Sequence, residues 1–444
     1  MIKILLLNSP IYKDKNDSNN ENYLPPFGLG YIATNLKKNN IEAKIIDCTK
    51  DNLTKSDIYN IIQLEHPDYV GINIFTPNFE IVKDIVISYG EKISFIIGGQ
   101  ITKFVFNDIV SWETTNKIII IIGEGDYIVG DIISENVLET PIYSTDLRKV
   151  YIVNKGSVYF PKDLSALKLE RGLFNRDISL NHFNLYEDSI ITSRGCLYNC
   201  AFCGAARGLN KDISVRERTK EDIIEEINNL KFLFPQIQCI RVLDDLFLKN
   251  SNSIRKAIEI FNETKLYWRA MTHILSLSNV EMDILEYLKK GNCLELFIGI
   301  ESGSETMRER IRKEGSLSAV KAVVRNLLST GINIKGYFIY GFPDESFEDC
   351  EKTYQLAVDL KEISLKTVGK FRVSVFQFRP YHGTVLYNEI ISKNRFIRPF
   401  AQNDELKELH GRRQFNFFSD NYSSCTKEQI DIFILKTMGL NKGV

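Results

Sequence analysis

The chain has 444 residues, of which 44% are hydrophobic and 25% are charged, and its formal net charge is -1. This length predicts two or three domains, and the composition is typical of soluble globular proteins that bury a large core. With 56 basic and 57 acidic residues, the charge balance argues against non-specific nucleic-acid binding and against a polybasic membrane patch.

The apolar start of the sequence, MIKILLLNSP, is short and is followed by the polar run KDKNDSNNEN. A signal peptide has a longer apolar core and a small-residue cleavage site, and a membrane span needs about 20 apolar residues. The sequence therefore predicts a cytoplasmic protein. In that compartment the 8 cysteines are expected to be reduced, metal-bound or buried rather than disulfide-bonded.

Five short apolar runs rich in Ile and Val alternate with amphipathic helical stretches in the first third of the chain. The runs are IKILLL (2–7), AKIIDC (43–48), DYVGINIF (68–75), ISFIIGG (93–99) and KIIIIIG (117–123). Continuous runs of this kind indicate strands that are buried on both faces of a parallel sheet. They predict a doubly wound, Rossmann-like α/β domain over residues 1–139.

The alternation of strands and helices is interrupted over 140–187, where a β-hairpin and a linker are predicted. A second series of strands then follows: DSIITSRG (188–195), QCIRVLDD (238–245), YWRAMTHI (267–274), NCLELFIGIES (292–302), INIKGYFIYGFP (332–343) and GKFRVSVFQF (369–378). Six strand–helix units fit a partial (β/α)6 barrel over 188–395 better than a second open sheet, although periodicity alone does not separate the two. Residues 396–444 are predicted to form a small helical C-terminal region.

The clearest predicted helix begins in the stretch RTKEDIIEEINNLKFLF. Thr219 is expected to cap it, and Asp222 lies where the acidic residue of a capping box belongs.

Three cysteines, Cys196, Cys200 and Cys203, lie in the glycine-bounded stretch SRGCLYNCAFCGAARG (193–208). Packing does not explain three thiols on one loop. A structural zinc site wants a fourth Cys or His ligand, and the closest one, His182, lies on the far side of a predicted strand. The favoured interpretation is an iron–sulfur cluster with three thiolate ligands and one open iron, and zinc is the weaker alternative. The other cysteines are scattered and are predicted to be packing residues: Cys48, Cys239, Cys293, Cys350 and Cys425.

The motif CLYNCAFC, with an aromatic residue before its last cysteine, resembles the signature of radical S-adenosylmethionine (radical SAM) enzymes. Further segments are similar to that family in the same order over about 200 residues: VLDDLFLKN (242–250), FIGIESGSETMRERIRK (297–313), GYFIYGFPDES (336–346) and FRPYHGTVLY (378–387). The last segment departs from the family at His382, which stands where proline is usual.

This resemblance implies that Cys196, Cys200 and Cys203 hold a 4Fe–4S cluster whose open iron binds SAM. An electron from the cluster then splits SAM into methionine and a 5′-deoxyadenosyl radical. The SAM-binding residues implied by the resemblance are Phe202, Gly204, Asp244, Glu301, Gly336, Tyr337 and Gly341. For Asp244 and Glu301 the alternative is a capped strand end with solvated carboxylates.

Glycine-bearing turns follow the strands of the first domain, at the edge where open α/β sheets bind ligands. No G-x-G-x-x-G follows the first strand, so a nicotinamide site is not expected. The turns instead resemble the cobalamin-binding domain that precedes many radical SAM domains. The cobalamin-binding residues implied by that resemblance are Pro10, Gly28, Asn73, Thr76, Gly98, Gly99, Gly123, Glu124 and Gly125.

The first domain departs from many cobalamin proteins because it lacks their D-x-H-x-x-G segment, which supplies an axial histidine. Its single histidine, His66, stands just before a predicted strand and outside such a motif. No protein histidine is therefore expected on cobalt. A corrinoid fold that has lost its ligand is the alternative for this domain.

Together the two resemblances imply a cobalamin-dependent radical SAM enzyme, most commonly one that methylates an unreactive carbon or phosphorus of a small-molecule or peptide substrate. A radical rearrangement, cyclisation or ring contraction without methyl transfer is the alternative reaction, and a corrinoid or cluster sensor is the non-enzyme alternative. An external electron donor such as flavodoxin or ferredoxin is expected, whereas nucleic-acid and membrane partners are not. No catalytic residue is assigned. Candidate contacts for an anionic substrate group are Arg379, His382, His410, Arg412 and Arg413.

Overall fold

The computed structural model describes residues 2–10, 24–134, 136–138, 141–145, 148–174, 178–211, 213–393, 395, 397 and 419–442. They form two compact units. The first unit holds the described residues up to Phe174, and the second holds those from Ile178 onward. No helix in these ranges is both long and apolar enough to cross a membrane.

The first unit alternates strands with helices, as its apolar runs predict. Its described elements are β1 (Lys3–Asn8), α1 (Phe27–Lys38), β2 (Glu42–Asp47), α2 (Lys55–Glu65), β3 (Tyr69–Asn73), α3 (Phe79–Ser88), β4 (Ser94–Gly98), α4 (Thr102–Val110), β5 (Lys117–Ile121), α5 (Ile128–Ile133), β6 (Tyr143–Ser144) and β7 (Lys149–Val153). Strands β1 to β5 coincide with the five predicted runs, and two hydrophobic clusters bury their side chains under helices.

These strands form one sheet in the order β2-β1-β3-β4-β5-β7-β6, and every neighbouring pair is parallel except β6 with β7. Because β2 and β3 lie on opposite sides of β1, the strand order reverses there. The carboxyl ends of β1 and β3 therefore flank a topological switch point, where such sheets bind ligands. The predicted doubly wound sheet is confirmed.

The second unit repeats strand–helix pairs after a short antiparallel start. Its described elements are β8 (Ser179–Leu180), β9 (Tyr186–Ile190), β10 (Ser193–Arg194), β11 (Arg216–Glu217), α6 (Lys220–Leu233), β12 (Cys239–Val242), α7 (Ser251–Thr264), β13 (Tyr267–Thr272), α8 (Ile274–Leu277), α9 (Met282–Lys290), β14 (Cys293–Glu301), α10 (Glu305–Arg310), α11 (Leu317–Ser329), β15 (Asn333–Tyr340), α12 (Phe347–Leu365), β16 (Phe371–Gln377), α13 (Val385–Ser392) and α14 (Lys427–Gly439).

The main sheet of this unit has the order β16-β15-β14-β13-β12-β9-β8, so its six parallel strands follow one another in chain order. Trp268 and Ala270 of β13 belong to a hydrophobic cluster with Phe261 of α7, which identifies the outer, helix-covered face. Alternation places Arg269 on the inner face, where its Nε lies 3.4 Å from Glu295 Oε2. The predicted partial barrel is confirmed.

The segment 140–187, predicted as a hairpin and linker, contributes strands to both sheets. β6 and β7 pair antiparallel and extend the first sheet beside β5, whereas β8 and β9 pair antiparallel at the edge of the second sheet. The predicted domain limits, 1–139, 140–187, 188–395 and 396–444, stay predictions.

Polar side chains pair with backbone groups at two places in the second unit, the start of α6 and the outer edge of β16. At the start of α6, Thr219 Oγ1 accepts the N–H of Asp222 at 3.3 Å, as expected for the cap. The Asp222 carboxylate also accepts Nε–H of Arg218 at 2.5 Å. After α14, Asn441 exchanges two hydrogen bonds with the backbone of Val373, at 2.8 and 2.9 Å, and so covers the outer edge of β16. Much of the predicted C-terminal region, including His410, Arg412 and Arg413, lies outside the described residues.

Candidate functional site

The three cysteines predicted as cluster ligands lie on one connection, residues 195–215, here named the cysteine loop. Strands β10 and β11 pair antiparallel and close the loop at its base. Gly195 opens it with φ 97°, which favours glycine, and donates its N–H to Asp245 at 3.3 Å. Within the loop, the N–H of Cys203 donates to Cys200 O at 3.2 Å. The three thiols therefore share one closed, turn-rich segment.

Neighbouring segments of the second unit hold this loop in place. The N–H of Ala201 donates to Ile311 O at 2.9 Å, and the N–H of Leu386 donates to Ala201 O at 3.1 Å. The ring of Phe202 packs against Phe342, with 5.4 Å between ring centroids. Phe342 follows Gly341, so the fold brings the predicted SAM-binding residues Phe202 and Gly341 to neighbouring positions.

The environment of the thiols is unfavourable for isolated thiolates. Burial raises the pKa of Cys196, Cys200 and Cys203, and that of Cys203 to about 12. The positive charge of Lys313 acts in the opposite direction, lowering the pKa of Cys196 and of Cys200. Thiolates here need a cationic partner to offset burial, and metal-bound thiols are deprotonated. The donor set thus fits the iron–sulfur cluster that the sequence predicts.

A single-ion site has a different geometry. Within the part of the chain that the structure describes, no three Cys, His, Asp or Glu side chains are grouped around a position for one metal ion. A 4Fe–4S cube is larger than one ion and holds its thiolates further apart. The finding therefore concerns the zinc alternative and not the cluster.

Asp244, at the carboxyl end of β12, holds strand ends together. Its buried carboxylate accepts the N–H and the hydroxyl of Thr192 and the hydroxyl of Ser193, each at 2.6 Å. Lys249 donates to the same Ser193 hydroxyl at 3.0 Å. These contacts match the strand cap of the alternative, but the carboxylate is buried and not solvated as that alternative expected. A role of Asp244 in binding SAM stays a prediction.

Glu301, at the carboxyl end of β14, has an unusual backbone. Its φ is 66°, a left-handed value that costs about 1–3 kcal/mol for a residue with a side chain. The pairing of β14 with β15 shifts register between Gly299 and Glu301. A Cβ on Gly299 would lie 2.2 Å from Glu301 Oε1, so glycine makes room for the carboxylate. Lys313 Nζ lies 3.3 Å from the same oxygen. The sequence motif FIGIESGSETMRERIRK contains this lysine but did not predict a role for it.

The predicted SAM-binding residues of β15 have different surroundings. A Cβ on Gly336 would lie 2.7 Å from the Phe371 ring, so this glycine permits close packing of β15 on β16. Tyr337 faces the other side, with its ring 5.8 Å from that of Phe376. Gly341, with φ 88°, donates its N–H at 2.5 Å to Glu345 Oε2, which ties the turn after β15.

Arg379, near this end of the barrel, is buried, and His382 is half-buried. Burial lowers the pKa of Arg379 to about 9 and that of His382 to about 4. The ring of His382 lies 4.7 Å from that of Tyr387. Their proposed contact with an anionic substrate group stays a prediction.

In the first unit, two adjacent glycines at the carboxyl end of β4 differ in the space around them. Gly99 has φ 140°, and a Cβ on it would lie 2.3 Å from Ile74 O, so only glycine fits. Among the described residues, a Cβ on Gly98 would meet nothing within 4 Å, and the same holds for Gly28 at the start of α1. Open backbone at the carboxyl edge of the sheet fits a ligand that lies close to the main chain.

Other predicted cobalamin-binding residues are placed at the same edge. Gly123 has φ 117° and is exposed, Glu124 and Gly125 follow it, Thr76 is buried and Pro10 is half-buried. Asn73 contributes to a polar network: its Oδ1 accepts the N–H of Ser9 at 2.8 Å and its Nδ2 donates to Asn8 at 2.8 Å. That network fixes the ends of β1 and β3 on both sides of the switch point.

His66 ends α2 in a left-handed conformation with φ 45° and donates its N–H to Ile62 O at 3.1 Å. The position of His66 at the end of a helix accounts for its left-handed backbone conformation, and no ligand is needed to explain it.

Comparison with known proteins matches each unit to a family model. The radical SAM superfamily model matches residues 190–357, and the B12 binding domain model matches residues 18–133. An uncharacterized methyltransferase of Pyrococcus horikoshii is 26% identical over 95% of this chain and 90% of its own.

Two solved structures share the fold at 14% identity, each with a TM-score of 0.66. One is the radical S-adenosylmethionine methyltransferase TsrM of Kitasatospora setae with cobalamin and a [4Fe-4S] cluster bound, and the match covers 99% of this chain and 89% of that one. The other is the cobalamin-dependent S-adenosylmethionine radical enzyme OxsB, where the match covers 98% of this chain but 65% of that one.

Proposed function

The chain belongs to the radical SAM enzymes that carry a B12-binding domain, and on this premise we propose that it methylates an unactivated carbon or phosphorus of a small molecule or peptide. Its radical SAM domain implies a 4Fe–4S cluster and SAM, and its B12-binding domain implies cobalamin. When bound, these cofactors supply radical formation and methyl transfer, and the protein supplies positioning and exclusion of water.

The observation that carries the proposal is the presence of two different candidate cofactor sites in one chain. One unit presents three half-buried thiols on a closed loop beside the carboxyl ends of barrel strands. The other presents open glycine backbone at the carboxyl edge of a doubly wound sheet. A relative that aligns over 95% of this chain is described as a methyltransferase, which favours methyl transfer over rearrangement or cyclisation.

We assign Cys196, Cys200 and Cys203 as the cluster ligands. Among the proposed SAM contacts, the geometry favours Phe202, whose ring packs against Phe342, and Gly341, the residue before Phe342. It also favours Glu301, whose strained backbone presents a buried carboxylate at a strand end. The described contacts of Asp244 are hydrogen bonds to Thr192 and Ser193, and that of Gly336 is packing against the Phe371 ring. A role of these two residues, of Gly204 and of Tyr337 in binding SAM stays a prediction.

For cobalamin, the geometry favours Gly98 and Gly28, which leave space above the backbone, and Gly99, which fixes the turn beneath it. Asn73 is proposed to act through the network that fixes the strand ends, since both polar atoms of its side chain already have partners there. Pro10, Thr76, Gly123, Glu124 and Gly125 stay predictions, as does the absence of a histidine ligand to cobalt.

A radical SAM enzyme needs a reductant and a substrate. We propose flavodoxin or ferredoxin as the electron donor and a small molecule or peptide as the substrate. The cytoplasmic location and the absence of a nucleic-acid partner stay predictions.

The test is an anaerobic assay of the reconstituted full chain with SAM, a reductant and cobalamin. 5′-Deoxyadenosine and S-adenosylhomocysteine are quantified by mass spectrometry, with one control that omits cobalamin and another that uses Cys196→Ala. Both products, with S-adenosylhomocysteine dependent on cobalamin, are expected. Deoxyadenosine alone would replace methylation by rearrangement or cyclisation, and neither product would favour a sensor.

A further inference from the structure

His273 follows β13 at the mouth of the barrel and is only 4% exposed. Its backbone, with φ -115° and ψ 149°, is still extended, so it continues the alternation of the strand. Arg269 lies on the inner face of β13, and residues two apart share a face. The His273 side chain is therefore directed toward the inside of the barrel mouth, where such folds place their chemistry.

The hydrogen bonds of His273 define which ring nitrogen carries the proton. Its Nδ1 accepts the N–H of Leu275 at 3.2 Å and caps α8. A nitrogen that accepts a hydrogen bond carries no proton, so the proton of the neutral ring is on Nε2. Burial, together with the charges of Lys313 and Arg308, lowers the pKa of this histidine to about 3, in agreement with a neutral ring.

The Nε2–H donor has no hydrogen-bond partner among the described residues, although it is buried. Buried donors are nearly always satisfied, so an exception at a barrel mouth calls for an explanation. The helix cap accounts for Nδ1 and leaves Nε2 unexplained.

His273 lies in contact with a residue of the cysteine loop. The ring of Tyr198 stacks on the His273 ring at 3.7 Å, with 24° between the planes. Tyr198 lies between Cys196 and Cys200 in the sequence. The charge of Lys313 acts on both of those thiols and on His273.

We propose that His273 is a positioning residue for the iron–sulfur cluster and that its Nε2 hydrogen is donated to a sulfur atom of the group held by the cysteine loop. This inference rests on the assignment of Cys196, Cys200 and Cys203 as cluster ligands. Hydrogen bonds to cluster sulfurs favour the reduced, more negative state and so raise the reduction potential. Tyr198 stacking and the Leu275 hydrogen bond hold the imidazole in the orientation that this requires.

The test compares three variants of the reconstituted full chain by potentiometric titration monitored by electron paramagnetic resonance, without SAM. His273→Asn places an amide oxygen where Nδ1 caps α8 and loses the distal donor. His273→Gln places an amide N–H near the position of Nε2. His273→Phe keeps an aromatic ring against Tyr198 and loses both nitrogens. His66→Gln, in the other unit, is the matched control.

We expect His273→Asn and His273→Phe to lower the equilibrium constant for cluster reduction about tenfold, which is 59 mV for a one-electron couple. His273→Gln and His66→Gln should stay within about twofold of the wild type. Iron and sulfide contents measured on each variant identify any that fails to fold or to hold the cluster.

Unchanged potentials in both His273→Asn and His273→Phe would overturn the proposal. A shift that appears only after SAM is added would also overturn it, because the donor would then serve SAM and not the cluster. Failure of the proposed methyl transfer is distinguishable, since the potential is measured without methyl-group turnover.

Discussion

Lys313 Nζ lies 3.3 Å from Glu301 Oε1, and the two side chains are only 6% and 9% exposed. Glu301 reaches this position because its backbone is left-handed and because Gly299 has no side chain. Burial raises the pKa of the Cys196 and Cys200 thiols, and the charge of the same lysine opposes that rise. The lysine of this buried ion pair at the end of β14 therefore also acts electrostatically on the thiols of the cysteine loop.

Removal of one partner of this pair should be costly. We expect Lys313→Met to lower the free energy of unfolding by about 3–5 kcal/mol, because the Glu301 carboxylate stays buried without its cation. Adding Glu301→Gln should recover part of the loss. Denaturant titration of the apo chain measures both effects.

The matched control is Lys321→Met, which removes an ion pair to Asp359 whose members are 41% and 31% exposed. Such pairs contribute about 0–1 kcal/mol. A Lys313→Met loss no larger than this control would contradict the buried-pair account.

The cluster ligands are expected to be individually required. Cys196→Ala, Cys200→Ala and Cys203→Ala should each abolish the brown chromophore and SAM cleavage, because the proposed cluster is held by all three thiolates. Iron analysis and visible spectra after anaerobic reconstitution measure this.

Cys425→Ser serves as the control, since its thiol is buried elsewhere, 3.9 Å from that of Cys350. It should keep the chromophore and iron. An intact cluster in Cys196→Ala would show the ligand assignment to be wrong. About eight irons per chain in the wild type would instead indicate a second cluster and contradict the packing role of the other five cysteines.

Two neighbouring glycines should respond differently to alanine. Gly99→Ala forces a Cβ to within 2.3 Å of Ile74 O at φ 140° and should destabilise the first unit by about 1–3 kcal/mol or more. Gly98→Ala meets no atom of the described part of the chain within 4 Å and should leave stability within about 1 kcal/mol.

If cobalamin lies over this edge, Gly98→Ala should nevertheless weaken its binding about tenfold, because the methyl group occupies the open space. Equilibrium dialysis with hydroxocobalamin measures the affinity. Wild-type affinity in Gly98→Ala would place the corrinoid away from Gly98.

Glu345 should make stability depend on pH. Burial raises its pKa from 4.5 to about 8. Between these values the unfolded chain loses the proton and the folded chain keeps it. The contribution of this group to the free energy of unfolding is therefore full below about pH 4.5 and falls as pH rises, by at most about 1.4 kcal/mol per pH unit. Above about pH 8 this contribution should no longer change with pH.

Glu345→Gln keeps an oxygen that can accept the N–H groups of Gly341 and Phe342 and removes the titration. The difference in the free energy of unfolding between wild type and variant should therefore shift in favour of the variant as pH rises. Exposed Glu348→Gln is the control. A pH-independent difference for Glu345→Gln would refute the buried carboxyl account.

The sequence allowed correct prediction of elements whose signal is local. The Ile-rich runs predict β1 to β5 because strands buried on both faces need apolar side chains at every position. Thr219 predicts a helix start because a hydroxyl before the first turn satisfies a free N–H. The cysteine spacing likewise places three thiols on one loop without knowledge of the fold.

What the sequence by itself determined, then, was the type and order of elements, the cysteine triad and the glycine-bearing turns, because each is defined by residues adjacent in the chain. Only the tertiary structure decided which side chains meet. Asp244 accepts bonds from Thr192, 52 residues away, and Tyr198 stacks on His273 from a different strand end. Such contacts depend on strand order and backbone angles, which periodicity does not encode.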